Sequence, residues 1–180
     1  MMKKFSLEDI STKNQMKSSD QRKVRAKILE QFPRLEPVID DIFPKKGNIN
    51  LAKCKDNINF VVLESEPLFF QQREGPWIPT LRLLHKYPTM MPRMQLDRGG
   101  IKFALKGANL MCPGFTSPGG QMEEVEKDAV VQVVAEGKYH ACAVGVTTMS
   151  TKAIREVNKD VCINSMHFLG DGLWEMTTFA

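Results

Sequence analysis

The chain has 180 residues, 42% hydrophobic and 26% charged, with a formal net charge of +4. That balance reads as a globular chain of one or two small domains and excludes a disordered or fibrous one. No apolar run approaches the roughly 18 residues of a membrane span, and the charged N-terminus has no signal-peptide core.

In chain order, Ser19 or Asp20 is expected to cap a helix that runs to Phe32 and stops at Pro33. Val24, Ile28 and Phe32 give that helix an apolar line at i, i+4 and i+8. Arg22, Lys23, Arg25 and Lys27 populate the rest of its surface. A second helix presents Leu35, Val38, Ile39 and Ile42, and Pro44 closes it. The segments 49–54, 58–63 and 68–72 read as short strands, with a hairpin turn at Glu64 to Glu66. A short helix is expected over 80–86. The first half of the chain is therefore α+β.

The link from Pro88 to Pro92 separates this half from one that holds ten of the twelve glycines. A domain boundary is placed there, giving domains of residues 1–91 and 92–180. The second half reads as mostly β. Segments 94–97, 129–135, 139–147, 161–169 and 173–178 are predicted strands. Ser150 caps a helix through Val157, and Gly170 to Gly172 carries a hairpin signal.

The densest signal lies between Asp97 and Gly120, reading DRGGIKFALKGANLMCPGFTSPGG. Gly99 and Gly100 permit a sharp turn or a close backbone approach. Ile101, Ala104, Leu105 and Ala108 then share one helical face, and Lys102 and Lys106 share another. Asp97 is placed to cap this helix and Gly107 to end it. A helix start behind a glycine turn, with two lysines, reads as a phosphate-binding surface. Leu110 to Cys112 resume as an extended run cut by Pro113 and Gly114.

Charge is unevenly distributed. Residues 1–60 carry 13 Lys/Arg against 8 Asp/Glu, whereas residues 93–180 carry 9 against 10. The N-terminal excess suits a polyanion such as RNA, or simply a solvated face. Cys54, Cys112, Cys142 and Cys162 lie far apart without a CxxC pair. They read as buried, reduced thiols of a cytosolic protein, and no metal site is expected. No P-loop, GxSxG or HExxH string occurs. Cys112 and His140 would be the one thiol–imidazole pair to consider, but each reads better as structural. The chain is thus expected to be non-enzymatic, with no catalytic residues and no cofactor.

Several blocks in order carry a resemblance over nearly the whole chain. They are the basic start Met1 to Phe5, LFFQQREG at Leu68 to Gly75, and PTLRLLHKYP at Pro79 to Pro88. The 97–120 segment follows, then EGKYHACAVGV at Glu136 to Val146 and GDGLW at Gly170 to Trp174. Together they resemble the MCT-type translation factors, the malignant T-cell amplified sequence proteins and their fungal translation machinery-associated counterparts. The resemblance implies an α+β pre-PUA domain followed by a PUA domain of β-barrel type. It implies an RNA-binding groove at Arg98, Gly99, Gly100, Lys102, Lys106, Pro113 and Gly114, which Trp174 either completes or leaves by packing in the core. Arg22, Lys23, Arg25 and Lys27 would form an rRNA-docking basic face.

The implied partners are a density-regulated-protein-type protein with a SUI domain, small-subunit rRNA and the tRNA acceptor end, in the cytoplasm. The implied work is release of deacylated tRNA after termination, with reinitiation or noncanonical initiation. An accessory protein for tRNA or rRNA modification is the alternative, and a protein scaffold without RNA affinity is a third reading. Trp77, in a Gly-Pro-flanked loop, is a candidate partner anchor. Phe69 and Phe70 point to opposite faces of one strand. Thr116 to Pro118 is a string that proline-directed kinases read. The acidic stretch 121–128 is expected to face away from RNA or to touch protein.

Overall fold

The computed structural model describes residues 1–179. Strand β1 (Ile10–Gln15) is followed by α1 (Ser18–Gln31), a tight helical stretch over Pro33–Val38 and α2 (Ile39–Ile42). Strands β2 (Ile49–Cys54), β3 (Ile58–Leu63), β4 (Glu66–Gln72) and β5 (Ile78–Pro79) complete an antiparallel meander in the order β1-β2-β3-β4-β5. Helix α3 (Leu81–Lys86) then leads to the proline link. Its cap is Thr80, whose hydroxyl accepts from the Leu83 amide at 3.3 Å.

The two faces of this meander do different jobs. Phe69 lies on the α1 side, its ring 6.1 Å from Phe32 and 6.2 Å from Phe43. Phe70 faces the opposite side, 5.6 Å from Phe60. Phe5 and Phe179, from the two ends of the chain, close on Phe60 at 5.1 and 4.8 Å. The period-2 alternation of β4 therefore feeds two separate apolar layers, as expected.

Two local expectations shift. The first helix starts one residue before the expected caps, with Lys17 as N-cap. Asp20 instead sits in the first turn, where negative charge favours the positive helix end. Strand β1 has no counterpart in the sequence reading, because five of its six residues are exposed and carry no alternation. Its ladder to β2 holds it at the sheet edge.

The second half forms β6 (Arg93–Leu96), α4 (Ile101–Ala104), β7 (Leu110–Met111), α5 (Pro113–Thr116) and β8 (Gln121–Met122). It continues with β9 (Val130–Ala135), β10 (Ala141–Thr147), α6 (Thr151–Val157), β11 (Val161–Phe168) and α7 (Gly172–Glu175). The strand order is β7-β11-β10-β9-β6-β8, with β6 and β9 parallel. This curled sheet wraps Met94, Leu96, Phe115, Val131, Val133 and Ile163. All six residues of β9 are buried, which explains its valine-rich run, and the one polar member, Gln132, has its amide nitrogen satisfied at the seam.

The expected last strand, 173–178, is not formed. Residues 172–175 are a helical turn, and the Gly170–Gly172 signal is not a hairpin. The reason is Asp171. Its buried carboxylate accepts from the Trp174 amide at 2.8 Å and the Phe168 amide at 2.9 Å. The His167 ring nitrogen Nδ1 is a third partner at 2.7 Å. Gly172 is required for a different reason: a Cβ there would lie 2.2 Å from the Phe5 carbonyl oxygen. The tail then runs back to the first sheet, where the Phe179 amide donates to Ser65 and its carbonyl accepts from Lys13 Nζ, both at 2.7 Å.

The seam between the two sheets is specific. Gln132 Nε2 donates to Pro88 at 2.8 Å and Met91 at 2.9 Å, which pins the proline link. The Arg82 guanidinium lies 4.0 Å over the Trp174 ring and donates to its carbonyl at 2.7 Å. His85 Nε2–H donates to the Ala141 carbonyl at 2.8 Å. Glu123, in the acidic stretch, pairs with Arg34 across the seam, and Glu124 pairs with Arg155.

Asp171→Ala is expected to destabilise the protein by about 3–5 kcal/mol, the usual effect of removing one member of a buried polar network. Urea unfolding measures this, and a loss under about 1 kcal/mol contradicts the role given to Asp171. A second prediction concerns acid. Burial, beside His140, Arg82 and His167, holds His85 below its ordinary value of 6.5. The unfolded chain then binds more protons than the native one, so stability falls as pH drops through that value. His85→Gln should give a shallower acid slope in thermal melts, and an unchanged slope would contradict it.

Candidate nucleic-acid interface

The expected helix after the glycine pair is much shorter than its apolar spacing implied. It is one turn, α4, preceded by a tight turn over Arg98–Gly100. Asp97 caps it, its Oδ1 accepting from the Gly100 amide at 2.8 Å. The stop is a Schellman arrangement. The Ala108 amide donates to the Phe103 carbonyl and the Gly107 amide to Ala104, both at 3.1 Å. Gly107 has φ +79°, and a Cβ there would lie 2.4 Å from the Phe168 ring. Of the predicted apolar face only Ala104 is buried, and Leu105 is 44% exposed.

Leu96, at the end of β6, lies beneath this turn. A Cβ on Gly100 would stand 2.7 Å from the Leu96 side chain, and one on Gly114 would stand 2.6 Å from it. The two glycines therefore clamp one leucine from either side, and the Asp97 amide donates to Gly114 at 2.8 Å to fix the spacing. Above Leu96 the chain leaves a groove of about 300 Å³, lined by Gly99, Gly100, Asn109, Pro113 and Gly114. Phe103 and Met111 form its apolar walls, and they are 49% and 48% exposed. Gly99 opens toward solvent, with only Asp97 Oδ1 near its missing Cβ, at 3.6 Å.

Four of the seven expected groove residues, Gly99, Gly100, Pro113 and Gly114, line this groove. Arg98 and Lys102 line a separate, open depression beside it. Lys106 falls in the Schellman turn and lines neither. The Lys102 ammonium lies 5.2 Å from the Phe103 ring, so it sits at the groove's edge. Arg98 is 81% exposed in its side chain, with Glu136 Oε1 3.9 Å from its Nε.

Sequence reasoning does not find Phe103, Met111 and Asn109 as site residues. The one signal for them is that Phe103 lies off the helix's apolar set, so its ring has no core to enter. Trp174 takes the core alternative, packed in the seam. Trp77 is only 5% exposed, so it is a wall rather than a protruding anchor. Its backbone exchanges two hydrogen bonds with the Gln31 side chain, at 2.6 and 2.9 Å.

The basic helix also divides. Arg22 and Arg25 border a depression with Asp40 and Lys45, where Arg25 pairs with Asp40 at 2.6 Å. Lys23 and Lys27 border a different cleft on the other side of α1.

The four cysteines are buried and free. Burial pushes the Cys142 thiol up to about 11, and raises Cys112 and Cys162 as well. The Cys112 sulfur packs on Met149 at 3.8 Å, whereas the His140 ring meets His85 and Tyr139 at 5.3 and 5.2 Å. These two residues form no thiol–imidazole pair. Among the described residues no cluster of His, Cys, Asp or Glu has a metal-site arrangement, and no helix is long and apolar enough to cross a membrane.

Comparison with known families matches residues 5–88 to a pre-PUA-like domain and residues 92–169 to a PUA domain. Among solved structures, a hypothetical protein from the archaeon Pyrococcus horikoshii OT3 shares the fold. Its TM-score is 0.77 at 22% identity, covering 92% of this chain and 99% of that one. A PUA-domain structure from Aeropyrum pernix K1 superposes with a TM-score of 0.71 at 21% identity, over 91% and 89% of the two chains. A malignant T-cell-amplified sequence 1 homolog of Dictyostelium discoideum is 53% identical over 176 residues, 97% of each chain. Human malignant T-cell-amplified sequence 2 is 47% identical over 180 residues, 99% of each. With both domains matched in order and agreement running nearly end to end, the chain belongs to the malignant T-cell-amplified sequence family.

Proposed function

We propose that this chain is an RNA-binding translation factor of the small ribosomal subunit. It acts there with a density-regulated-protein-type partner that carries a SUI domain. The work assigned to it is release of deacylated tRNA after termination, and support of reinitiation or noncanonical initiation, in the cytoplasm. Family membership supports the translation role. The observation that carries RNA binding is the groove over Leu96, where Phe103 and Met111 stand half-exposed beside the ammonium of Lys102.

The chemistry is binding. An unpaired nucleotide, such as those at a tRNA acceptor end, offers a flat base and a phosphate. Phe103 and Met111 give the base an apolar surface, and base–aromatic stacking is worth about 1–3 kcal/mol. The Gly99–Gly100 backbone permits close approach, and Arg98 and Lys102 supply charge along the phosphate path. On the N-terminal domain the Arg22 and Arg25 side of α1, with Lys45 beside it, is assigned to rRNA. Glu123 and Glu124 of the acidic stretch pair with Arg34 and Arg155 of this chain, which offsets part of their charge, and neither lines the groove.

Phe103→Ala is expected to weaken binding of a CCA-ended single strand by roughly 5- to 150-fold, the range set by one stacked base. Lys102→Glu should weaken it and reduce the salt dependence, by about one unit of the log–log slope for each phosphate that the side chain neutralises. Fluorescence anisotropy across a salt series measures both, and wild-type affinity in both variants would refute the groove.

Cosedimentation with purified small subunits, with and without the partner, tests the translation role. The expected result is binding that the partner enhances and salt weakens. No binding in any condition, with the partner active on its own, would favour the modification-accessory alternative.

A further inference from the structure

The sheet face under α1 is only partly covered. Beyond Leu51, Val61 and Phe69, which pack beneath the helix, the same face continues into a polar row of Lys53, Asn59 and Gln71, aligned by register across β2, β3 and β4. Between this row and α1 lies a cleft of about 490 Å³. Lys17, Lys23, Lys27 and Lys53 line it against a single acid, Asp20, and all four lysines are exposed. None of the four is in an ion pair among the described residues, whereas six other lysines and arginines are paired. Lys23 and Lys27 are one helical turn apart, and Lys53 lies on the sheet side, so positive charge stands on both rims.

The cleft is prebuilt and has an apolar part. Met16, Val24, Leu51 and Trp77 contribute to its lining. The Gln31–Trp77 exchange fixes one end. At the other, Gln21 Nε2 donates to the Met16 carbonyl and the Met16 amide to Ile49, both at 2.9 Å.

We infer that this cleft docks an acidic polypeptide segment of a protein partner, one that places an apolar side chain between its carboxylates. Charge complementarity argues for an anion. Two features favour polypeptide over RNA. The cleft offers no exposed aromatic for base stacking, since Trp77 is 5% exposed, and stacking is what holds unpaired bases. Asn59 adds a side-chain amide, which matches the donor and acceptor pattern of a peptide backbone, and Gln71, whose Nε2 donates to the Gly75 carbonyl at 2.7 Å, leaves its amide oxygen as an acceptor. The inference stands apart from the groove over Leu96, and it assigns Lys23 and Lys27 to protein rather than to rRNA.

The test uses the full chain and two probes of equal length and charge. One is a fluorescein-labelled peptide in which glutamates alternate with leucine and phenylalanine, and the other is oligo(U). The expected result is that the peptide binds more tightly than oligo(U). Lys27→Glu with Lys53→Glu should weaken the peptide by tenfold or more, about 1.4 kcal/mol. Arg22→Glu with Arg25→Glu, on the opposite side of α1, and Phe103→Ala, in the groove, should each change it less than about twofold. All of these positions lie at the surface, and circular dichroism verifies folding. No peptide binding by the wild-type chain, or binding that survives the Lys27/Lys53 change, overturns the inference. Tighter oligo(U) binding that the same change abolishes overturns it in favour of an RNA site. Loss of RNA binding in Phe103→Ala with peptide binding intact keeps the two sites distinct.

Discussion

Asp171 is the pivot of the molecule. A buried carboxylate is costly unless its oxygens are satisfied, and here three donors surround it within four residues along the chain. Satisfying that carboxylate turns the chain out of β11, through one helical turn, and back across the seam to the first sheet. Phe179 can then join Phe5 on Phe60, so both chain ends complete the core of the N-terminal meander. The second domain's terminal segment thus belongs structurally to the first. The two sheets are consequently held in one frame, and the groove, the two sides of α1 and the cleft keep fixed positions on it.

Within that frame the groove follows from a packing constraint of the same kind. Leu96 must be buried, but the chain crosses it twice, at Gly100 and Gly114, with no room for a Cβ at either crossing. The glycines bring backbone close above the leucine and leave Phe103 and Met111 on the rim, without a core to enter. An apolar surface results where a soluble domain would ordinarily be polar, and charge stands next to it. That combination suits a base with its phosphate better than it suits a small apolar ligand, which would gain nothing from Lys102 and Arg98.

Much of this is legible in the sequence where a local rule decides the outcome. The strands β2, β3, β9, β10 and β11 follow from alternation or from valine-rich runs, and Asp97 and Ser150 cap as their positions suggest. Gly107 ends its helix because its φ is positive. The departures are decided by tertiary packing. The Gly170–Gly172 signal becomes a cap and a close approach to Phe5 instead of a hairpin, and β1 exists only because β2 offers it an edge. The apolar spacing over 101–108 promises two turns of helix, but the Schellman stop ends it after one. The basic residues of α1 read as one surface, although a step of 100° per residue sends Arg22 and Lys23 to different sides. Trp77, hydrophobic in a loop, reads as an anchor for a partner but is held in the wall by Gln31.

The central claim is that RNA is held over Leu96, and the most direct measurement is to find where bound RNA touches the chain. A CCA-ended strand carrying a photoreactive base, crosslinked to the wild-type protein and mapped by mass spectrometry, makes that contact visible. The account predicts crosslinks at Phe103 and Met111. Crosslinks confined to α1 and the first sheet, with none between residues 96 and 114, would contradict it.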